Sequence, residues 1–192
     1  MSTTTGNPKI AFWFEFASTY SYPAAMRVED AARAAGVALE WRPFLLGPIF
    51  VAQGWNDSPF NVYPAKGRYM WRDLARVCAK LDLPLQHPSA FPRNGLTAAR
   101  VAQIAIDEGW GADFVRAVYT ANFAEDREIG EVDVIAEIVA SLERDPDAVL
   151  ARASEQGNKE RLKRTGEDAA RLGIFGAPTF VVGEELFWGN DR

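Results

Sequence analysis

The run Phe12-Trp13-Phe14-Glu15-Phe16-Ala17-Ser18-Thr19-Tyr20-Ser21-Tyr22-Pro23 decides how the rest of the chain is read. Ile10 to Phe16 is aromatic and strand-forming, Ser18 and Thr19 are helix-capping residues, and the Ala-rich segment Tyr20 to Ala35 reads as one helix closed by Gly36. A strand therefore delivers the Ser18 hydroxyl to a helix N-terminus. Free backbone N–H groups and the positive end of the helix dipole gather there, so an anion, in particular a thiolate, is stabilised at that point. An ordinary N-cap accounts for the same residues, and the stretch alone does not decide between the two.

Working outward, Val37 to Phe44 alternates apolar and polar side chains up to Pro43, the pattern of a second strand with one buried face. One helix between two strands implies a parallel pair. Gly47 to Pro64 is rich in Gly, Pro, Asn and aromatics without a period and reads as a long binding loop. Lys66 to Leu81 carries apolar residues three and four apart, an amphipathic helix with Cys78 packed inside. Pro84 to Pro92 is irregular, and the segments Thr97–Glu108, Asp113–Phe123, Val132–Leu142 and Pro146–Gly157 have helical spacing. Asn158 to Leu172 continues as a charged helix ended by Gly173, and Thr179–Val182 with Glu185–Trp188 forms a hairpin around Gly183-Glu184. The order β-α-β, helical block, α-β-β is a thioredoxin-like layout. Residues 1–46 and 158–192 would make one discontinuous domain, and 47–157 an inserted all-helical one. Both halves must share a sheet, because neither buries its faces alone.

Composition narrows the function. With 21 Lys and Arg against 26 Asp and Glu, the formal charge is −5 and no basic cluster tracks a phosphate backbone, so nucleic acid is not an expected partner. No run approaches the ~18 apolar residues of a membrane span, and Met1 to Lys9 lacks the apolar core of a secretory signal. The single cysteine allows no internal disulfide. A cytoplasmic protein without a membrane partner is expected. His87, the one histidine, has no cluster of Cys, Asp or Glu near it in sequence, so no metal site is expected.

Thioredoxin-like enzymes carry Cys-x-x-Cys where this chain has Ser18-Thr19-Tyr20-Ser21. Thiol–disulfide exchange needs a thiolate of the enzyme's own, and helix-interior Cys78 does not supply one, so the sulfur has to arrive with a ligand. Here the sequence resembles the 2-hydroxychromene-2-carboxylate isomerases and the related kappa-class glutathione transferases, DsbA-like members of the thioredoxin superfamily. The resemblance rests on Phe14-Glu15-Phe16-Ala17-Ser18-Thr19-Tyr20-Ser21-Tyr22, similar to Phe-Asp-Phe-x-Ser-Pro-Tyr-Ser-Tyr; on Phe91-Pro92-Arg93-Asn94, similar to the isomerases' Pro-x-Asn; and on Phe175-Gly176-Ala177-Pro178-Thr179-Phe180 with Trp188-Gly189-Asn190-Asp191-Arg192. Thr19 replaces the family's usual Pro, and Pro23 stands where Leu is common.

The resemblance implies glutathione as cofactor and a homodimer. Ser18 would be catalytic, hydrogen-bonding the glutathione sulfur. A cis bond before Pro178 would expose the Ala177 backbone to the tripeptide, Asn190 and Asp191 would hold its γ-glutamyl end, and Lys66 and Asn56 would bind the ligand. Each has a plainer reading: a turn at Ala177-Pro178, a helix cap at Asn190-Asp191, a solvated Lys66. Arg93 and Asn94 would meet the substrate's carboxylate or keto group. Trp55 and Tyr63, with Phe60, would wall an aromatic substrate or pack the two domains together. The implied reaction, from aromatic hydrocarbon catabolism of the naphthalene type, interconverts 2-hydroxychromene-2-carboxylate and trans-o-hydroxybenzylidenepyruvate. The thiolate adds to a conjugated carbon, the hemiketal ring opens, the resulting single bond rotates, and elimination regenerates glutathione. A kappa-like transferase or peroxidase and a non-enzymatic glutathione- or peptide-binding protein are the alternatives. The family's final helix lies beyond Arg192, so the natural chain is expected to be longer than 21.2 kDa by intact mass.

Overall fold

The computed structural model describes residues 8–192, so the polar opening on which the reading of no secretory signal rests lies, up to residue 7, outside the described residues. The elements are β1 Lys9–Phe14, α1 Ser21–Ala25, α2 Val28–Ala34, β2 Ala38–Pro43, α3 Leu46–Ala52, α4 Pro59–Val62, α5 Pro64–Lys80, α6 Leu96–Asp107, α7 Gly111–Phe123, α8 Val132–Ser141, α9 Pro146–Ala153, α10 Gln156–Arg171, β3 Thr179–Val182 and β4 Glu185–Trp188. None of the helices is long and apolar enough to cross a membrane among the described residues.

The two ends of the chain form one sheet in the order β2-β1-β3-β4. β1 runs parallel to β2 and antiparallel to β3, with Phe12 opposite both Trp41 and Phe180. A strand paired on both edges and covered on both faces must be apolar throughout, which is why Phe12, Trp13 and Phe14 are all buried. Phe12 and Phe14 point to one face, joined by Phe16, Tyr22, Phe114, Tyr119 and Phe123. Trp13 points to the other, against Phe44, Ile49, Ala169 and Ile174. The Phe12 ring stacks on Phe180 at 5.2 Å and meets Trp41 edge-on at 5.3 Å. The helical block has no separate core; the apolar side chains of α6, α7 and α8 join the same cluster as the sheet.

Two expectations change. The single helix from Tyr20 to Ala35 is two, because α1 buries all five of its residues while α2 buries only Val28 and Ala32. The ladder tightens between them, with Arg27 N–H donating to Ala24 O at 3.2 Å, and one straight helix would not suit both environments. The segment 47–64, read as loop, contains most of α3 and all of α4. Its prolines sit where they do no harm: Pro59 opens α4 behind Ser58, whose Oγ accepts from Phe60 N at 3.3 Å. A proline in a first turn lacks only an N–H that would have had no partner.

The junction of α4 and α5 depends on one glycine. A Cβ on Gly67 would lie 2.2 Å from the Phe60 carbonyl oxygen, so the two short elements close on each other only without a side chain there. Gly67→Ala is expected to lower the urea-unfolding stability by about 1–3 kcal/mol through overpacking, measured against wild type at constant m-value.

Candidate functional site

Where β1 ends, Ser18 N–H donates to Glu15 O at 3.0 Å and turns the chain back on itself. Two side chains from α7 secure this turn: Tyr119 donates its hydroxyl to Glu15 O at 2.9 Å, and Asn122 its amide to Phe16 O at 3.0 Å. Ser18 then does two things at once. Its Oγ accepts from Ser21 N at 3.4 Å, just before α1, and donates to Ala177 O at 2.8 Å across 159 residues of sequence. The N-cap of α1 is Tyr20, without a side-chain cap bond, so the plain N-cap reading of Ser18 does not hold. α1 is only five residues long, and its Ser21 and Tyr22 N–H groups are already bonded to Ser18 O and Thr19 O.

The Ala177–Pro178 bond is cis, as is Phe91–Pro92. Ala177 O is taken by Ser18, while among the described residues no acceptor faces the Ala177 N–H. Asn190 reaches the same corner, held by Arg27, whose guanidinium donates to the Asn190 carbonyl and, at 3.2 Å, to its Oδ1. Asn190 and Asp191 form a turn after β4. Asp191 lies close enough to Tyr20 for its charge to raise the phenol's pKa.

These residues line one cleft of about 1250 Å³. Ser18, Asn56, Trp55, Lys66, Asn94, Ala177, Pro178, Asn190 and Asp191 all face it, brought together from both ends of the chain and from α3 to α5. Phe50, Phe60 and Phe91 supply much of its apolar wall, with the Phe50 and Trp55 rings 5.7 Å apart. Lys66 is exposed at the start of α5 and makes no ion pair among the described residues. Tyr63 does not line the cleft; it caps the junction of α4 and α5 with its side chain half in solvent, so the sequence placed it wrongly among the walls.

Arg93 also has a different place from the one expected. Its side chain is 1% exposed, and all three guanidinium nitrogens are engaged. Nε donates to Glu128 at 3.2 Å; Nη1 donates to Asn122 O and Oδ1, both at 3.1 Å, and to Arg127 O at 2.9 Å; Nη2 donates to Ser89 Oγ and Asp126 O, both at 3.2 Å, and pairs with the Asp126 carboxylate. No N–H remains for a substrate carboxylate. A buried charge needs this full set of partners, and what Arg93 does is pin the 89–94 segment to the chain after α7. Asn94, next in sequence, is exposed to the cleft and caps α6 through Oδ1, which accepts from Leu96 N at 2.9 Å.

Sequence reasoning missed three groups. Tyr20 donates its hydroxyl to Asp73 Oδ2 at 2.8 Å, linking α1 to α5 along the cleft wall, and burial holds its phenol well above the usual range. Arg27 fixes Asn190, which nothing in an exposed mid-helix arginine foretells. Glu15 is 8% exposed and lines the cleft; burial pushes its carboxyl up to about 7, with the Ala17 N–H acting in the other direction. Its signal was present in the opening stretch as a lone charge between Phe14 and Phe16. Cys78, buried in α5 as expected, has its thiol pushed up to about 11 by burial and offers no nucleophile. His87 is exposed against Trp71, ring to ring at 4.0 Å.

The fold and this corner define a class, a thioredoxin-like domain of DsbA type in which serine stands at the redox position. Residues 9–192 match the family model for the DSBA-like thioredoxin domain. A 2-hydroxychromene-2-carboxylate isomerase of Sphingobium xenophagum is 32% identical over 188 residues, covering 95% of this chain and 93% of that protein. The solved structure of a 2-hydroxychromene-2-carboxylate isomerase superposes with a TM-score of 0.85 at 26% identity, covering 96% of this chain and 90% of that one. The human glutathione S-transferase kappa 1 is 26% identical over 172 residues, 81% of this chain and 74% of that protein. The chain belongs to the 2-hydroxychromene-2-carboxylate isomerase family of DsbA-like thioredoxin-fold proteins.

The Glu15 environment has a consequence for stability. As pH rises past the ordinary carboxyl value of 4.5 the unfolded chain releases this proton, whereas the native chain keeps it until about 7. The native state holds the extra proton in that window, so stability is fullest below it, falls as pH rises through it and levels off above. Relative to Glu15→Gln, wild type is expected to lose about 3 kcal/mol between pH 4 and 8, read from urea unfolding at each pH.

Proposed function

We propose that the protein is a glutathione-dependent isomerase that interconverts a 2-hydroxychromene-2-carboxylate and its trans-hydroxybenzylidenepyruvate. The observation that supports this most directly is the Ser18 hydroxyl on the Ala177 carbonyl, in a cleft to which the chain's one cysteine contributes nothing. When bound, glutathione supplies a thiolate, which by adding to a conjugated carbon turns a double bond into a single bond free to rotate.

The residues of this chain do the rest. Ser18 turns its hydroxyl from Ala177 O toward the sulfur, and a hydrogen bond donated to the sulfur favours its ionised form. The Ala177 N–H pairs with the tripeptide backbone as an added strand would. Asp191 holds the ammonium of the γ-glutamyl end, beside an Asn190 already fixed by Arg27. Lys66 and Asn56, which line the same cleft, bind the same ligand. Trp55, Phe50, Phe60 and Phe91 give a flat aromatic substrate its walls, and Asn94 offers a hydrogen bond to its polar end. A kappa-like transferase activity is the second reading, favoured by the likeness to the human kappa enzyme.

The test is turnover of a hydroxychromene carboxylate with and without glutathione, for wild type and Ser18→Ala, with a chlorinated aromatic acceptor in parallel. Glutathione-dependent isomerisation, with kcat/KM about 10- to 100-fold lower in Ser18→Ala, is the expected result, since one hydrogen bond to a charged group is at stake. Activity without glutathione, or an unimpaired variant, overturns the mechanism. Turnover of the chlorinated acceptor alone favours the transferase.

A further inference from the structure

Opening a hemiketal ring moves a proton. The C2 hydroxyl must lose one and the ring oxygen must gain one, and a side chain lining the cleft can carry it. Ser18 is committed to the sulfur in the reading above, on which this inference rests. Tyr20 already gives its proton to Asp73, and Arg93 has no N–H to spare. Glu15 remains. Its carboxylate lines the cleft, has no ion-pair partner among the described residues, and lies beside Gly95, where a Cβ would be 3.0 Å from its Oε1. Gly95 follows Asn94, so this carboxylate stands beside the segment that carries Asn94.

We propose that Glu15 is the proton relay of the isomerisation, taking the proton of the hemiketal hydroxyl as the ring C–O bond breaks and returning it to the phenolic oxygen. The electron pair of the broken C–O bond goes to that oxygen, and the pair of the O–H bond becomes the second bond of the keto group. Glu15 ends the step as it began, and the reverse step closes the ring by the same route. No oxidant, reductant or metal enters.

A carboxyl held near 7 by burial is matched to this exchange at neutral pH. The ionisable groups around it leave it as the one that titrates there. From α7 comes Tyr119, whose phenol is kept neutral by burial; from the 92–95 segment, Arg93, already paired with Asp126 and Glu128. From α5, Lys66 and Asp73 line the same cleft, the latter bound to Tyr20. Opening the ring requires ionised Glu15, so kcat in that direction is expected to fall below about pH 7.

The experiment compares wild type, Glu15→Gln and Glu15→Asp in the full chain. It follows kcat for chromene opening from pH 5 to 9, glutathione affinity by calorimetry, and thermal unfolding. Glu15→Gln is expected to lower kcat about 10²- to 10⁴-fold and to lose the acid limb, with glutathione affinity within about twofold of wild type. Glu15→Asp should keep the limb and recover part of the rate. A Glu15→Gln rate within about threefold of wild type, or an unchanged acid limb in it, overturns the relay and leaves the isomerase reading standing. If Glu15→Gln does not fold, a Glu15→Asp limb at the wild-type position with undiminished kcat overturns the relay equally. A wild type that does not isomerise the chromene overturns both.

Discussion

Two buried hydrogen bonds from α7 hold the turn on which everything at the cleft depends. Tyr119 and Asn122 donate to the carbonyls of Glu15 and Phe16 just before Ser18, where β1 has ended; the Glu15 carbonyl also accepts from Ser18 N–H, whereas the Phe16 carbonyl has Asn122 alone among the described residues. A buried carbonyl left without a donor would cost about 1–3 kcal/mol. The helical block is in this sense part of the site: it completes the backbone bonding of the sheet's central strand and, through Phe114, Tyr119 and Phe123, its core.

The same region shows how one short segment supports groups of different character. Ser18 donates to backbone from the far end of the chain, beside an Ala177 N–H that has no acceptor among the described residues. Glu15, three residues earlier, is buried with no ion-pair partner among the described residues, so desolvation governs its charge. Arg93 is the opposite case, a buried cation with every nitrogen bonded, whose work is mechanical. Burial alone does not separate these two residues. What separates them is the number of partners each has, because an unpaired buried carboxyl is free to exchange its proton and a fully bonded guanidinium has nothing to give.

Much of the fold was legible in the sequence. The apolar run of β1, the helical spacing of α5 to α9, the hairpin at Gly183-Glu184 and the two parallel strands of the opening all appear where local patterns placed them. The errors have physical sources. Prolines in 47–64 look like loop from composition, yet Ser58-Pro59 starts a helix because a first turn does not need the proline's N–H. The break at Met26-Arg27 follows from two different environments along one helix, which no local propensity contains. Tyr63 looked like a wall residue because it is aromatic and near Trp55, but the turn into α5 carries it outward.

Local sequence therefore determined the elements and the sheet's central strand, since periodicity and residue type act over a few residues. Tertiary structure decided which polar groups meet. Ser18 finds Ala177 across 159 positions, Arg27 finds Asn190 across 163, and Arg93 finds Asp126 and Glu128 instead of a substrate. Hydrogen-bond partners depend on distances of about 3 Å in space, and separation along the chain says nothing about them until the sheet has brought its two ends together.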